Sequence, residues 1–497
     1  MFFDRELGEP ATHGIVLFTR DWGPVPAFVT SLYCRNCRTR YYPDYFVHTS
    51  ATIRTYYMAP CSVIEVSEHY HIERSVCAHI TDTFAIAAVS ATDFADIYNA
   101  GTPDDIKLLL PFNWCAVFAL NVKLVWNAFF LHSLLQDHME RRRPMELRHD
   151  ASSQGARLQP LLAERNRAMA GPGQDEWNHA CDLCCWISEG ENGIRKGLRA
   201  TVTDGVTIGH PCCSVHDCPH PLLSVNHLFC ELHKAHNLVC SVASCINPAV
   251  PDRFTCDLPE HSQLEDSHFA QGQSMGVLRR RYENVNGIAH DTADEVNCPE
   301  KPELGNRAPP KARFHRRWTH NEELCVYTCG VIAGRATFFG SESPNGVRRF
   351  WMRLFPTRNS LPGVMYYDSN CLLQAMLEND PDPYDRTYFD DSALGVDAFH
   401  FSTKHKATDV ECGRRCNPYI WPELRTPDGQ WRFNSSIAEQ VNVWIKGYVN
   451  IVREMEVTRY NFFLDEMVKL RNQRTVAKLR ARGHRPYRIP RDVLLAL

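Results

Sequence analysis

The 497-residue chain has no long uninterrupted apolar run, no marked excess of charge of either sign and no apolar leader at its amino terminus. Its most apolar stretch, 108–135, is broken by Pro111, Asn113, Asn121, Lys123 and Asn127, residues that a bilayer core penalises. It therefore reads as buried helix, and no membrane partner is expected. With 54 Lys+Arg against 58 Asp+Glu the formal net charge is -4, so contact with nucleic acid must rely on local basic patches. The opening Met1-Phe-Phe-Asp-Arg-Glu places acids where a secretory signal needs its apolar core, so an oxidising compartment is not expected. No H-E-x-x-H helical pair is present, which removes the usual signature of a zinc hydrolase.

What the chain has in plenty is cysteine and histidine, 21 and 23 residues, set in an otherwise ordinary globular composition of 44% hydrophobic and 23% charged residues. In a reducing compartment clustered cysteines point to metal. The length calls for several domains, and the composition divides it as a multidomain α/β (α+β) protein. Residues 1–150 alternate β-rich segments (14–18, 51–57) with apolar helical patterns (83–98, 108–135) and read as a mixed α/β domain carrying a cysteine knuckle. Residues 151–178 read as a polar linker with one short helix, 156–169; residues 179–265 hold the cysteine cluster, and 266–312 read as a second linker. Residues 313–497 contain strand-like pieces at 324–331, 363–367 and 396–401, then a long helical pattern over 435–482 and a basic end.

The cluster contains an internal repeat. Cys213-Ser-Val-His-Asp-Cys218 is followed by Cys230 and His233, and Cys240-Ser-Val-Ala-Ser-Cys245 is followed by Cys256 and His261. Each unit offers three thiolates and an imidazole, the donor set of a closed tetrahedral zinc site. A segment of about 25 residues cannot bury enough apolar surface to fold alone, so metal–ligand bonds must supply the folding energy. His216, His220, His227 and His236 are alternative fourth ligands. Cys181 and Cys184, with Cys185 and Cys212 nearby, suggest a further site. Cys34-Arg-Asn-Cys37 has knuckle spacing, with Cys61, Cys77, His48, His69 and His71 as candidates to complete it. His400, His405, Cys412 and Cys416 form one more ligand-rich group.

Three acids are candidates for a catalytic metal. Asp368 closes the strand-like run Gly363-Val-Met-Tyr-Tyr, a position where active-site acids commonly sit in α/β folds. Glu439 lies just after Ser435 and Ser436, so it is either a first-turn acid favoured by the helix dipole or a metal ligand. On a helical wheel it falls opposite the stripe of Ile437, Val441, Trp444, Ile445 and Tyr448, which would turn it to solvent. Asp204 lies in Ala200-Thr-Val-Thr-Asp-Gly-Val-Thr-Ile-Gly, either one strand or two strands joined at Asp-Gly.

Taken together, Ser31-Leu-Tyr-Cys-Arg-Asn-Cys-Arg-Thr-Arg-Tyr-Tyr-Pro, the Val202-to-Cys213 segment with the repeat behind it, Tyr367-Asp-Ser-Asn-Cys371, Phe399-His-Phe-Ser-Thr-Lys-His405 and Phe433-Asn-Ser-Ser-Ile-Ala-Glu439-Gln resemble fungal proteins bearing the cysteine clusters of Kyakuja-Dileera-Zisupton (KDZ) transposases. The resemblance implies an RNase H-like transposase core, its first strand near 198–208, interrupted by the zinc-binding cluster. It also implies a DDE triad carried by Asp204, Asp368 and Glu439. Cys329-Gly330 is an alternative location for the first acid, with cysteine in its place. The first knuckle lies close to the amino terminus, as expected of a shortened gene product.

The activity implied is DNA strand cleavage and transfer with Mg or Mn, zinc serving structurally, DNA as partner and the nucleus as location. The alternative is a catalytically inactive, transposon-derived zinc protein that binds DNA or protein partners. The segment 469–491, with nine Lys/Arg and no Asp or Glu, is the candidate DNA-contacting surface. The oligomeric state is left open, a homo-oligomer included.

Overall fold

The computed structural model describes residues 7–59, 61–189, 195–272, 312–404, 408 and 410–496. The chain divides into two compact units, Met1–His210 with His320–Leu497, and Pro211–Thr319. The architecture is mixed α/β.

The first unit opens on an eight-stranded sheet of order β6-β7-β1-β2-β3-β4-β5-β8. Strands β1 (Gly8–Thr19) and β2 (Gly23–Cys34) make a long hairpin, and β3 (Thr39–Tyr41), β4 (Tyr45–His48) and β5 (Ile53–Tyr56) extend it as a meander. Strands β6 (Val63–Ser67) and β7 (Tyr70–Glu73) pair on the other side, β7 parallel to β1, and β8 (Glu146–Arg148) closes the far edge. Helices α1 (Arg74–Ala87) and α4 (Val122–Glu140) pack together, burying Ile80, Phe84, Val125 and Phe129 with Val16, Phe18 and Ile72 of the sheet.

The helical pattern expected over 83–98 is broken. Ala88 takes a left-handed conformation (φ 48°) that ends α1, and α2 (Ala91–Ala100) restarts behind the Ser90 cap, whose side chain accepts from the Asp93 amide. The stretch 108–135 is likewise not one helix. After α3 (Asp104–Leu109) the chain is irregular through Pro111, and α4 begins only where Asn121 accepts from the Leu124 amide. Two of the residues that argue against a membrane span, Pro111 and Asn121, are thus helix punctuation. Among the described residues no helix is long and apolar enough to cross a membrane.

The expected linker 151–178 is integral structure. Helix α5 (Gln154–Met169) starts at the Ser153 cap and buries Leu158, Leu162, Arg165 and Met169. Beyond it Trp177 is fully buried and donates its indole N–H to the Leu354 carbonyl at 2.7 Å. After the short strand β9 (His179–Ala180), the second sheet begins with β10 (Cys185–Glu189) and β11 (Arg195–Val206). β11 runs unbroken through Asp204-Gly205, so the two-strand alternative is set aside.

Here the chain enters the second unit. Short strands β12 (Pro211–Cys212) and β13 (Arg317–Trp318) pair at its two ends, and among its described residues helix α6 (Pro259–Gly272) is the longest element. The buried clusters of this unit are small and made largely of cysteine: Cys213, Cys218 and Cys230 in one, Cys240, Val242 and Cys256 in the other. The expected linker 266–312 falls mostly outside the described residues.

The chain re-enters the first unit through β14 (Asn321–Tyr327) and β15 (Ile332–Phe338), then α7 (Pro344–Leu354), β16 (Val364–Tyr366), α8 (Asn370–Glu378) and β17 (Ala393–Gly395). The sheet order is β15-β14-β11-β16-β17, with β10 also paired to β11. β14 is antiparallel to β11 and to β15, whereas β16 is parallel to β11 and to β17. The central strand β11 is therefore flanked by an antiparallel meander on one side and parallel strands on the other.

Segment 396–401 is not the strand expected of it. Asp397 accepts from the His400 amide at 3.1 Å and the chain turns into α9 (Ala398–Lys404). The helical pattern over 435–482 resolves into α10 (Ile437–Lys446), a single turn at Val449–Val452 and α11 (Val457–Ala481). Gly447 ends the first, and Glu456 caps the last by accepting from the Thr458 and Arg459 amides. β18 (Tyr487–Arg488) returns to pair with β9.

Candidate zinc centres and an acidic site

Zinc–sulfur bonds of about 2.3 Å and zinc–nitrogen bonds of about 2.0 Å in a tetrahedron place sulfurs roughly 3.8 Å apart and a sulfur and a nitrogen roughly 3.5 Å apart. In the second unit the structure brings together Cys213, Cys218, Cys230 and His233, one ligand atom from each lying within 4.8 Å of the others. The Cys218 and Cys230 sulfurs are 3.8 Å apart, and His233 Nδ1 is 3.4 Å from each of the three sulfurs. Cys240, Cys245, Cys256 and His261 form the second group, with Cys245 and Cys256 sulfurs at 3.9 Å and His261 Nδ1 at 3.5 and 3.2 Å from Cys240 and Cys256. These separations and donor types fit structural zinc. His216, His220, His227 and His236 are not in either group.

Cys181 and Cys184 also meet, but their companions are His179 and Cys329. Cys185 and Cys212, the neighbours suggested by sequence, are not in this group. For Cys34 and Cys37, among the described residues, no third ligand comes within metal-binding distance. Cys77 lies in the core on α1, His48 is hydrogen-bonded to Thr39, and hydrogen bonds from Thr39 and Tyr41 hold the exposed Cys37 thiol down to about 7. His400, Cys412 and Cys416 likewise form no metal cluster among the described residues, and His405 lies outside them. Cys416 is buried, whereas His400 is spent on Asp368, Nε2 to Oδ2 at 3.1 Å.

The three sequence-selected acids influence one another electrostatically, but they do not form one of the groups whose ligand atoms all lie within 4.8 Å of one another. Asp204 points from β11, Asp368 follows the end of β16, and Glu439 sits in the first turn of α10, which packs on β11 and β14. Burial, together with the charges of Asp368, Glu342 and Glu439, pushes the Asp204 carboxyl up to about 6. Burial raises Asp368 too; His400 opposes the rise, while Asp397, Glu342 and Glu439 add to it. Glu439 is exposed, as the helical wheel implies, yet its charge still reaches both aspartates. Among the described residues the one basic side chain in ion-pair contact with these acids is His400.

Two further acids belong to the same patch and escape sequence reasoning. Glu323 is fully buried on β14, and burial with the fields of Glu342 and Asp204 pushes it up to about 9. Asn321 joins it to Glu342, donating to Glu323 Oε1 at 2.7 Å and to Glu342 Oε2 at 3.1 Å, and the Tyr367 hydroxyl donates to Glu342 Oε1 at 3.3 Å. Gly205 leaves room for this crowding: a Cβ there would make the side-chain ends of Asn321, Glu323 and Glu342 shift. The available signal is Glu322-Glu323 heading an apolar strand, because adjacent strand residues face opposite sides and a buried strand must take both acids inside. Glu322 is neutralised on its side by Arg335 at 2.9 Å, whereas Glu323 shares its hydrogen bond with neutral Asn321. These carboxylates raise one another's affinity for protons, and among the described residues no three of them bring their oxygens within 4.8 Å of one another as the cysteine and histidine groups do.

Cys329 lies in the turn between β14 and β15, away from the central strand, and so does not stand in the place of Asp204. The basic segment 469–491 is largely committed to the fold. Lys469 is buried against Glu140 at 2.6 Å, Arg471 donates to the Gly330 carbonyl, Arg474 pairs with Asp82, Arg488 with Glu176, and Arg491 donates to the Pro172 and Gln174 carbonyls. Lys478, Arg480, Arg482 and Arg485 remain exposed.

Residues 4–101 match the CxC5 like cysteine cluster associated with KDZ transposases, and residues 202–267 match the CxC6 like cysteine cluster associated with KDZ transposases. The second match includes Asp204 and both cysteine–histidine groups of the inserted unit; neither match reaches Asp368 or Glu439. No curated protein and no solved structure matched the chain.

Proposed function

We propose that this chain, KDZ transposase-like by its two cysteine clusters, is a DDE-type DNA transposase that cleaves and joins DNA strands with Mg or Mn held by Asp204, Asp368 and Glu439. The observation that carries the reading is the mutual electrostatic influence of three acids drawn from the central strand, the end of a parallel neighbour and a following helix. The strand order β15-β14-β11-β16-β17, with three antiparallel strands followed by two parallel ones, supports an RNase H-like core interrupted after its first strand by the zinc unit.

Bound divalent cations would polarise the scissile phosphate and activate the attacking water or 3′ hydroxyl. The chain's own part is to hold the acids. Asn442 donates to Asp204 Oδ2 at 2.7 Å and fixes the carboxylate toward the site. His400 holds Asp368 Oδ2, and Asp397 in turn orients the segment carrying His400 by accepting its backbone amide. Asp204, raised to about 6, keeps a proton on its carboxyl below that pH and releases it as cations bind. The zinc unit and the exposed Lys478, Arg480, Arg482 and Arg485 would contact DNA, and action on chromosomal DNA assigns the chain to the nucleus.

The test is manganese-dependent nicking of supercoiled DNA by wild type and by Asp368→Asn, Asp204→Asn and Glu439→Gln. Loss of nicking by about 10³-fold or more in each, with circular dichroism unchanged, is expected of metal-binding acids. Wild-type activity that survives in Asp368→Asn overturns the reading, and a zinc-loaded wild type that binds but never nicks DNA identifies the inactive transposon-derived protein.

A further inference from the structure

We infer that His179, Cys181, Cys184 and Cys329 bind a third structural zinc, inside the α/β unit, and that this ion clamps the strand pair β11–β14 whose connection is interrupted by Pro211–Thr319. One ligand atom from each of the four lies within 4.8 Å of the others. The Cys181 and Cys184 sulfurs are 3.6 Å apart, far beyond a disulfide bond of about 2.05 Å and close to the spacing of two thiolates on one zinc. His179 Nε2 is 3.4 Å from the Cys329 sulfur.

The surroundings are those of a built metal site. The other imidazole nitrogen, His179 Nδ1, is buried without a hydrogen bond and has the Glu176 carboxylate 3.5 Å away, on the side where a ligating histidine commonly finds its supporting acid. Glu176 is itself held by Arg488, Nε to Oε1 at 3.1 Å. The Cys181–Cys184 segment is a tight knuckle, with the Cys184 and Cys185 amides both donating to the Cys181 carbonyl at 3.1 and 2.8 Å. Cys329 is followed by Gly330 at φ +92°, a left-handed conformation that glycine adopts without strain. Three of the four ligands are buried and Cys329 half-buried, so a closed structural site is indicated and not an open catalytic one.

The clamp acts on the sheet. Three ligands come before β11 and the fourth after β14, so the ion bridges segments that the inserted unit separates along the chain. The cost of closing a loop grows with its length, so the insertion weakens pairing of β11 with β14 relative to a tight hairpin. Short-range bonds at the clamp reinforce the pairing: Thr328 donates from Oγ1 to the Leu183 carbonyl at 3.0 Å and from its amide to the Ala200 carbonyl at 3.2 Å, and Ala200 donates to the Cys184 carbonyl at 3.0 Å. The inference stands whether or not the acids cut DNA.

The test uses the full chain. Zinc per polypeptide is measured by mass spectrometry of the metal, and thiol protection by alkylation and peptide mapping before and after chelation. Three zinc ions are expected, with Cys181, Cys184 and Cys329 protected until the metal is removed. Cys329→Ala should hold two and melt lower in its α/β unit, whereas Cys329→His, which restores a ligand, should hold three. Two zinc ions in wild type, or alkylation of the half-buried Cys329 at the same rate with and without chelator, overturns the inference even if no variant folds.

Discussion

Asn442 and Asp204 are joined by a 2.7 Å hydrogen bond that ties helix α10 to the central strand β11, and Asn442 lies one helical turn beyond Glu439. The bond therefore couples the position of the first acid to that of the third. Hydrogen bonds to a charged group contribute about 1.5–3 kcal/mol. Asn442→Ala should cost about that much in stability and lower manganese-dependent nicking roughly tenfold or more, measured by denaturant titration and by DNA nicking on the same preparation.

The raised Asp204 carboxyl makes a signed pH prediction for protein free of divalent catalytic cation. Folded Asp204 binds its proton up to about 6, against an unfolded value of 3.8, so its contribution favours folding below 3.8 and is lost as pH rises through about 6. Asp204→Asn removes that loss. At pH 7.5 the variant should be more stable than wild type by on the order of 2 kcal/mol, and the gap should shrink as pH falls to 5.5. Thermal melts at the two pH values check this, and manganese should stabilise wild type alone.

Among the described residues of the inserted unit the cysteines are most of the buried core, so bound metal would be its main source of stability. Cys245→Ser should expose Pro211–Thr319 to limited proteolysis while the α/β unit resists, as read from fragment masses.

Segment 151–178, polar enough in composition to pass for a linker, carries a buried charge pair. Arg165 on α5 meets Glu466 on α11 at 2.7 Å, both sides nearly inaccessible. Removing one partner leaves the other charge buried, and Arg165→Ala should cost about 3–5 kcal/mol in chemical denaturation. A flexible connector would lose almost nothing.

The exposed basic end gives a salt-dependent prediction. Replacing Lys478, Arg480, Arg482 and Arg485 by alanine should flatten the dependence of log DNA affinity on log salt by about 0.9 for every phosphate that the variant no longer neutralises, measured by fluorescence anisotropy.

The two inserted cysteine groups were legible because metal ligands are chemically distinctive and their spacing is local. The place of Asp368 just beyond a strand end was legible because a β-rich run ended on it. The core cluster was partly legible: His179, Cys181 and Cys184 lie within six residues of one another, whereas Cys329 reaches them only through the pairing of β11 with β14. Glu342 was hidden for a similar reason, being a polar surface residue whose meaning depends on Asn321 and Tyr367. Periodicity also overran helix ends, at Ala88 and Gly447, because an apolar stripe carries no record of a backbone that changes direction. Asp397 converted an apparent strand into α9 by capping, a side-chain preference outweighing the pattern around it.

The position of Pro211–Thr319 between β11 and β14 also bears on how the chain is made. At roughly 5–20 residues per second the ribosome releases β11 several seconds before β14, β15 or β16 exists. During that interval the nascent central strand has β10 alone for a neighbour and shows its remaining edge to other chains. The cysteine unit emerges in the same interval, so the yield of intact protein should track zinc supply and chaperone capacity during translation.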